Sequence, residues 1–434
     1  MISQGVLAEG QPRPRFMRFP TTGLSPAEPC VSTQLALRLA ACWVALAYSL
    51  LIPGSTATAQ QQGGASFSQL AAKAQKASEE NRLDEAARLY ARALVIRPKW
   101  AEGWWALATL EYDQDHYAKA AAAFKKMVTL QAKNGTAFAM LGLCEFELGH
   151  EQASLRDIQK GVDLGLQTNP DLQHVVLYHE GLLLQHQGRF QAAQETLEQV
   201  CLQAGPSDTA ANVLGMALLR SAAKEPPPAG SADAGVVLRV GRAACLAGQK
   251  KYDEARPEFE SVVSENPKYP NIHYAFGLFL LELRDVTGAV EQLKQEVAND
   301  PSDVVARLRI AASEYKRDSA SGIPYAEEAV KLAPAQPFGH YLLGLLRLDV
   351  DDYLNAIPEL EIAKKGLPQE PKIYAALGTA YSRAGRKQEA TLARATFARL
   401  TEEQKKPVAQ GESEPRSSGP EKIPVGDLPQ TSPH

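Results

Sequence analysis

The chain has 434 residues and a formal net charge of −4, from 46 basic and 50 acidic side chains. Because the two signs are interspersed and no basic run exceeds a pair such as Lys405 and Lys406, nucleic acid and anionic lipid are not expected ligands. Five cysteines in a chain of this length exclude a small disulfide-stapled scaffold.

The N-terminal region predicts an export signal. Residues 39–52 are an uninterrupted apolar stretch that follows Arg38 and is broken by Pro53. This stretch is short for a membrane span, which needs roughly 20 residues. The small residues at 57–59 then lie where signal peptidase cleaves. Residues 1–59 are therefore predicted to be a signal peptide, and the mature protein to begin at Gln60 in the periplasm or outside the cell.

Three alternatives remain open for this region. The segment before the apolar stretch is long for a signal, so Met17 is an alternative start. A retained signal would instead anchor the protein in the membrane, facing the periplasm. Residues 39–42 resemble the lipobox of a lipoprotein, but a lipobox cysteine should follow the apolar stretch, whereas here the stretch follows Cys42.

Small residues recur with a period of 34 through most of the chain. The spacing relates Ala74, Ala108 and Gly142; Gly181 and Gly215; Gly277 and Ala311; and Gly344 and Gly378. Unit ends are marked by Pro267, Pro301, Pro334 and Pro368. A fixed period of this size is typical of stacked-repeat architectures, in which each unit buries its apolar face only against its neighbours.

Within one unit the pattern predicts two antiparallel helices. In residues 101–134, an apolar stripe around Ala108 precedes a polar break at 113–116, and a second stripe around Ala120 follows it. We expect Ala108 and Ala120 to be small because the two helices cross there, where a larger side chain would push the helix axes apart.

These units resemble tetratricopeptide repeats. The matching residues are Trp104, Leu107, Ala108, Tyr117, Ala120 and Phe124; Tyr252, Ala255, Phe259 and Pro267; and Leu377, Gly378, Tyr381, Gly385 and Ala390. The resemblance extends over residues 66–400 and implies an all-α, right-handed superhelical solenoid of antiparallel helix pairs. It is specific for the fold and says little about function, since such repeats serve many unrelated assemblies.

About nine repeats are expected. Their boundaries are 67–100, 101–134, 135–168, 174–207, 234–269, 270–303, 303–336, 337–370 and 371–400. One further helix, over 208–221, is expected to be unpaired because Pro226, Pro227 and Pro228 follow it, and three consecutive prolines cannot continue a helix.

This interruption predicts two blocks of repeats, at 66–221 and 236–400, joined by an exposed Pro-rich segment at 222–235. Residues 60–65 are expected to be a linker. The tail at 401–434 contains six prolines and no aromatic residue, which predicts disorder.

The sequence carries no motif that points to catalysis or a cofactor. It has no phosphate-binding glycine loop, no GxSxG and no CxxC. His174, His179 and His186 are the best metal candidates, but the last two are two helical turns apart, about 10.5 Å, which is too far for one zinc ion. The cysteines left after signal cleavage are expected to be buried and unpaired: Cys144, Cys201 and Cys245. We therefore expect no enzyme, metal or cofactor.

The first helices of the repeats are predicted to form a binding groove. In tetratricopeptide repeats the first helix lines the concave surface, and aligning three units places on its outer stripe Trp105, Tyr112, Leu143, Phe146, Tyr178 and Leu182. Adjacent polar groups are supplied by Thr109, Gln185 and His186. An aromatic-rich patch with hydrogen-bonding groups fits an extended or helical peptide. The open alternative is that some of these residues, above all Tyr112, pack between units.

Two functions follow from this pattern. The preferred one is a non-enzymatic scaffold or adaptor outside the cytoplasm, which binds a partner protein or peptide in the groove. The alternative is a periplasmic chaperone or peptide receptor with transient, broad binding. Neither a small-molecule substrate nor nucleic acid is expected.

Overall fold

The computed structural model describes residues 66–166, 170–204 and 207–405, all within one compact unit. This part of the chain folds into 19 helices with no strand. In chain order they are α1 (Phe67–Glu79), α2 (Leu83–Ile96), α3 (Ala101–Asp113), α4 (Tyr117–Leu130), α5 (Gly135–Glu147), α6 (Glu151–Leu164), α7 (Pro170–His186), α8 (Phe190–Ala204), α9 (Asp208–Leu218), α10 (Ala232–Gly248), α11 (Tyr252–Glu265), α12 (Ile272–Glu282), α13 (Val286–Asn299), α14 (Val304–Glu314), α15 (Ser319–Leu332), α16 (Pro337–Asp349), α17 (Tyr353–Gly366), α18 (Pro371–Arg383) and α19 (Lys387–Lys405).

The chain ends lie largely outside this description. The predicted signal peptide at 1–59, the linker at 60–65 and residues 406–434 are not among the described residues. The predicted tail begins too early, however, because α19 continues to Lys405. Among the described helices, none is both long and apolar enough to cross a membrane.

The helices form stacked antiparallel pairs, which confirms the predicted all-α repeat solenoid. Each helix packs against its neighbours in the chain, and several first helices also touch the next first helix. After many first helices the chain reverses direction through one residue in the left-handed conformation, such as Gly149 (φ 76°) or Gly385 (φ 74°). A glycine adopts this conformation without the steric cost that a Cβ would add.

The small residues of the first helices mark the crossing points, as predicted. At five glycines among these residues, the side chain sixteen residues after the glycine, on the second helix of the unit, occupies the space that a Cβ on the glycine would need. The distances from that Cβ position to a side-chain carbon are 2.7 Å for Gly142–Ile158, 2.5 Å for Gly181–Leu197, 3.0 Å for Gly277–Leu293, 2.6 Å for Gly344–Leu360 and 3.1 Å for Gly378–Arg394. The 34-residue period therefore encodes a repeated steric contact between paired helices.

A second repeated contact closes the turn that precedes four of the first helices. A polar side chain on the first helix bonds to the proline carbonyl six residues earlier. The contacts are Trp104 Nε1 to Pro98 O (2.8 Å), His273 Nε2 to Pro267 O (2.9 Å), His340 Nε2 to Pro334 O (3.0 Å) and Tyr374 Oη to Pro368 O (2.9 Å). Each bond satisfies a carbonyl that the turn leaves free, so the prolines at unit ends also serve as fixed acceptors.

The helix predicted to be unpaired does have a partner. Helix α9 packs closely along α10, although the Pro-rich segment separates the two in sequence. A Cβ at Gly241 of α10 would lie 1.7 Å from the carbonyl oxygen of Ala211, and one at Gly215 of α9 would lie 2.0 Å from that of Val237. Only glycine lets the two backbones approach this far. The predicted repeat boundaries, by contrast, place α10 in the following unit alone.

One continuous core joins the two predicted blocks. The largest apolar cluster extends from Ala108 to Ala289, through α9 and α10. Just after α9, Arg220 forms a buried ion pair with Asp303 at the start of α14 and stacks on the Tyr274 ring, 4.3 Å from its centroid. The Pro-rich segment therefore lies beside a core that both predicted blocks share. That this segment is an exposed joint, open to proteases, stays a prediction.

The cysteines also differ from the prediction. Cys201 of α8 and Cys245 of α10 form a disulfide across 44 residues of sequence. Both are fully buried, and only Cys144 is free among the described residues. The odd number of cysteines had suggested that all three were unpaired, but the packing of α10 against α8 brings two of them together.

Candidate partner-binding surface

The residues predicted for the groove lie on α3, α5 and α7. Six of them are half-buried and therefore keep part of their surface accessible: Trp105, Thr109, Tyr112, Phe146, Tyr178 and Leu182. The five large side chains among these six pack against the main core cluster. Each therefore has one side against the core, and the groove assignment remains a prediction.

Phe146 and Tyr178 come together through a third aromatic residue, His179. The Phe146 ring contacts the His179 ring edge-to-face at 4.6 Å, and Tyr178 does the same at 5.3 Å. Burial lowers the pKa of His179, so its ring is neutral at pH 7. Its Nδ1 lies 2.7 Å from the carbonyl of Val175, which fixes the ring as a donor to its own helix. Sequence reasoning considered His179 only as a metal ligand, although it adjoins the predicted Tyr178.

Trp105 and Tyr112 take part in packing within their own unit. The Trp105 ring meets the fully buried Phe124 edge-to-face at 5.6 Å, and Tyr112 meets Tyr117 at 5.4 Å. Burial also raises the pKa of the Tyr112 phenol. Its ring contact is with the second helix of the same unit, so Tyr112 contributes to packing within that unit, and the alternative of packing between units stays a prediction. The Thr109 hydroxyl donates to the carbonyls of its own helix.

Two predicted groove residues are not accessible. Leu143 is 3% exposed because it belongs to the core that α5 shares with its neighbours. Gln185 is 1% exposed. Its amide nitrogen donates to the carbonyls of Ser221 (2.8 Å) and Ala223 (2.9 Å). Helical spacing alone predicts both side chains to be accessible, because it shows neither the packing of α5 in the core nor the segment that covers the end of α7.

That covering segment is the Pro-rich connection, residues 221–230, which we call the strap. Besides Gln185, it is held by His186, whose Nε2 lies 2.9 Å from the Lys224 carbonyl. The Lys224 ammonium binds both oxygens of Glu151 at 2.9 Å. Glu151 also lies 3.1 Å from His186 Nδ1, and the contacts with Lys224 and His186 lower its carboxyl pKa. These strap contacts join residues 36 to 73 positions apart in sequence.

No group of three or more His, Cys, Asp or Glu side chains within the described ranges is arranged to hold a metal ion. His179 is bonded to the Val175 carbonyl, and His186 is bonded to Glu151 and the strap. The two therefore serve as hydrogen-bonding groups in packing.

Two family models for the tetratricopeptide repeat match the sequence, at residues 72–135 and 246–311. The chain thus carries tetratricopeptide repeats, and the helix-pair contacts described above recur beyond the two matched segments. No curated protein matches the sequence.

Several solved structures are similar to this one at low sequence identity. MamA from Desulfovibrio magneticus RS-1 is 22% identical, with 39% of this chain and 97% of that chain covered and a TM-score of 0.37. A chain from the structure of the APC/C hetero-tetramer Cut9-Hcn1 is 14% identical, with 77% of this chain and 79% of that chain covered and a TM-score of 0.30. Yeast Tom70 is 12% identical, with 77% and 85% coverage and a TM-score of 0.30. At these values no role or partner is transferred from them.

Proposed function

We propose that this protein is a non-enzymatic interaction scaffold that binds a partner protein or peptide along its first helices. The observation that carries the proposal is the set of half-buried aromatic rings on three successive first helices, Trp105, Phe146 and Tyr178. Tetratricopeptide repeats support a protein-interaction role, and aromatic residues with one face on a rigid core are effective anchors for a partner.

The binding test begins with identifying the partner. Crosslinking in the native cell envelope, followed by mass spectrometry, would supply a protein that co-purifies stably. We then expect Tyr178→Ala to weaken binding at least tenfold, since one aromatic anchor commonly contributes about 2 kcal/mol and about 1.4 kcal/mol corresponds to a factor of ten. Phe397→Ala on α19 is a matched control, because this ring is 37% exposed and lies away from the groove helices.

Two results would redirect the proposal. Unchanged binding by a folded Tyr178→Ala variant would move the site away from this groove. Broad, weak binding to many unrelated peptides, without one stable partner, would favour the chaperone or peptide receptor. Circular dichroism on each variant would separate lost binding from lost helix.

We further propose that the protein acts outside the cytoplasm. The apolar stretch at 39–52 with its small-residue cleavage site supports export. The Cys201–Cys245 disulfide adds support, since disulfides persist mainly in oxidising compartments. N-terminal sequencing of the exported protein should find Gln60 first. A membrane-bound product that starts at Met1 or Met17 would instead mean a retained anchor.

A further inference from the structure

The strap is bound through its backbone. Gln185 donates to two strap carbonyls and His186 Nε2 contacts a third, at Lys224, within 2.8–2.9 Å. Lys224 supplies the one charged side-chain contact, to Glu151. Recognition of successive carbonyls together with one basic side chain is how a protein surface binds an extended peptide.

The donors are built into the helix, whereas the strap buries little of its own surface. Gln185 is 1% exposed, and the His186 side chain is 9% exposed. In contrast, residues 222–226 of the strap are exposed. A segment with little buried apolar surface opens at low free-energy cost. Opening of the strap would therefore uncover the side chains of Gln185 and His186.

The strap also lies at one end of the proposed groove. Tyr178, Leu182 and Gln185 are four and three residues apart on α7, so they follow one helix face. An extended chain that contacts Tyr178 and continues along this face would reach Gln185, where the strap is now bound.

We propose that Glu151, Gln185 and His186 form a binding site for an extended, lysine-containing peptide, and that the strap is an intramolecular ligand that keeps this site closed. A partner segment would displace the strap, present its carbonyls to Gln185 and His186, and place a basic side chain on Glu151. This inference rests on the proposed function for one point only, which is that the bound chain runs along the groove towards Gln185. Its test does not require the partner protein to be known.

The test uses a labelled synthetic peptide with the strap sequence, Ser221 to Gly230, added to the full-length exported protein. In the wild type the tethered strap competes at an effective concentration of about 1 mM. Lys224→Glu should open the strap, because it replaces the ion pair with Glu151 by a repulsion. If the wild-type site is closed at least nine-tenths of the time, this variant should bind the peptide at least tenfold more tightly in fluorescence anisotropy.

Three controls define the result. Lys99→Glu reverses the charge of an exposed lysine outside the strap, and this variant should bind the peptide as weakly as the wild type does. Gln185→Ala, combined with Lys224→Glu, should abolish binding, since the carbonyls lose their donor. A peptide with glutamate in place of its lysine should also bind poorly, because it would meet Glu151.

A second opening variant replaces Pro226, Pro227 and Pro228 with glycine, which raises the conformational entropy of the free strap. If neither opened variant binds the peptide while circular dichroism shows an intact fold, the strap is only a structural connection and the proposal is wrong. Equal binding by wild type and both opened variants would show that the strap does not close the site. Neither result would affect the Tyr178 test of the proposed function.

Discussion

Alanine at Gly241 should destabilise the α9–α10 pair, whereas alanine at Gly235 of the same helix should stabilise it. A Cβ at Gly241 would lie 1.7 Å from the Ala211 carbonyl oxygen, against at least 3.4 Å for an ordinary contact. The obstacle is backbone, so the helices must move apart. A Cβ at Gly235 meets nothing within 4 Å.

The expected magnitudes follow from these distances. Overpacking costs about 1–3 kcal/mol, and the backbone obstacle places Gly241→Ala at the upper end. The better helix propensity of alanine returns about 1 kcal/mol, which leaves a net loss of about 2 kcal/mol. Gly235→Ala keeps only the propensity term and should gain about 0.5–1 kcal/mol.

Hydrogen exchange is the suitable assay, because repeat arrays lose structure locally and one melting temperature can hide the change. Amides of α9 and α10 should exchange faster in Gly241→Ala and slower in Gly235→Ala, with α18 unchanged in both. Equal protection in the two variants would show that the helices do not cross as closely as described, and would refute the steric argument.

Three further predictions concern the disulfide, the strap and one histidine. Cys201→Ser should lower the local free energy of unfolding around α8 and α10 by up to about 4 kcal/mol, the entropic estimate for a closed loop of 44 residues. Hydrogen exchange under non-reducing conditions measures this loss, and unchanged protection of these helices would contradict the prediction. Limited proteolysis should nick the strap first among the described residues, but the fragments should separate on a gel only after reduction, since the disulfide spans the cut; a protease-resistant strap would argue against an exposed connection. Burial lowers the pKa of His179 below its ordinary 6.5. Just below pH 6.5 the unfolded state therefore binds more protons than the folded state, so stability around α7 should fall as the pH drops below about 6.5. His179→Phe should remove this part of the pH dependence in hydrogen exchange, and an unchanged pH profile would show that His179 is not buried as a neutral ring.

Most of the fold could be predicted from the sequence because repeats make local contacts. The crossing of Gly344 with Leu360 joins residues sixteen apart, and the bond from His340 to Pro334 joins residues six apart. Such contacts recur with the same spacing in each unit, so periodicity alone reveals them. The aromatic stripe was predicted in the same way, from Trp105 to Tyr178.

Accessibility within the stripe could not be predicted. Leu143 and Gln185 occupy the same helical face as their half-buried neighbours, and helical spacing gives no sign that they are covered. In the sequence, His179 stands out only as a metal candidate beside other histidines, and helical spacing argues against that site. Its contact with Phe146 depends on how α7 packs against α5.

The repeat length, the paired helices and the small residues at their crossings can all be inferred from the amino-acid pattern, since each of these follows from side chains within one unit. The partner of α9, the pairing of Cys201 with Cys245, and the contact of Gln185 with the strap depend instead on how distant helices pack. The physical reason is the loss of periodicity at the three prolines. Beyond them the direction of the chain is set by packing between residues 36 to 83 positions apart, such as Arg220 and Asp303, and these separations do not follow the 34-residue period.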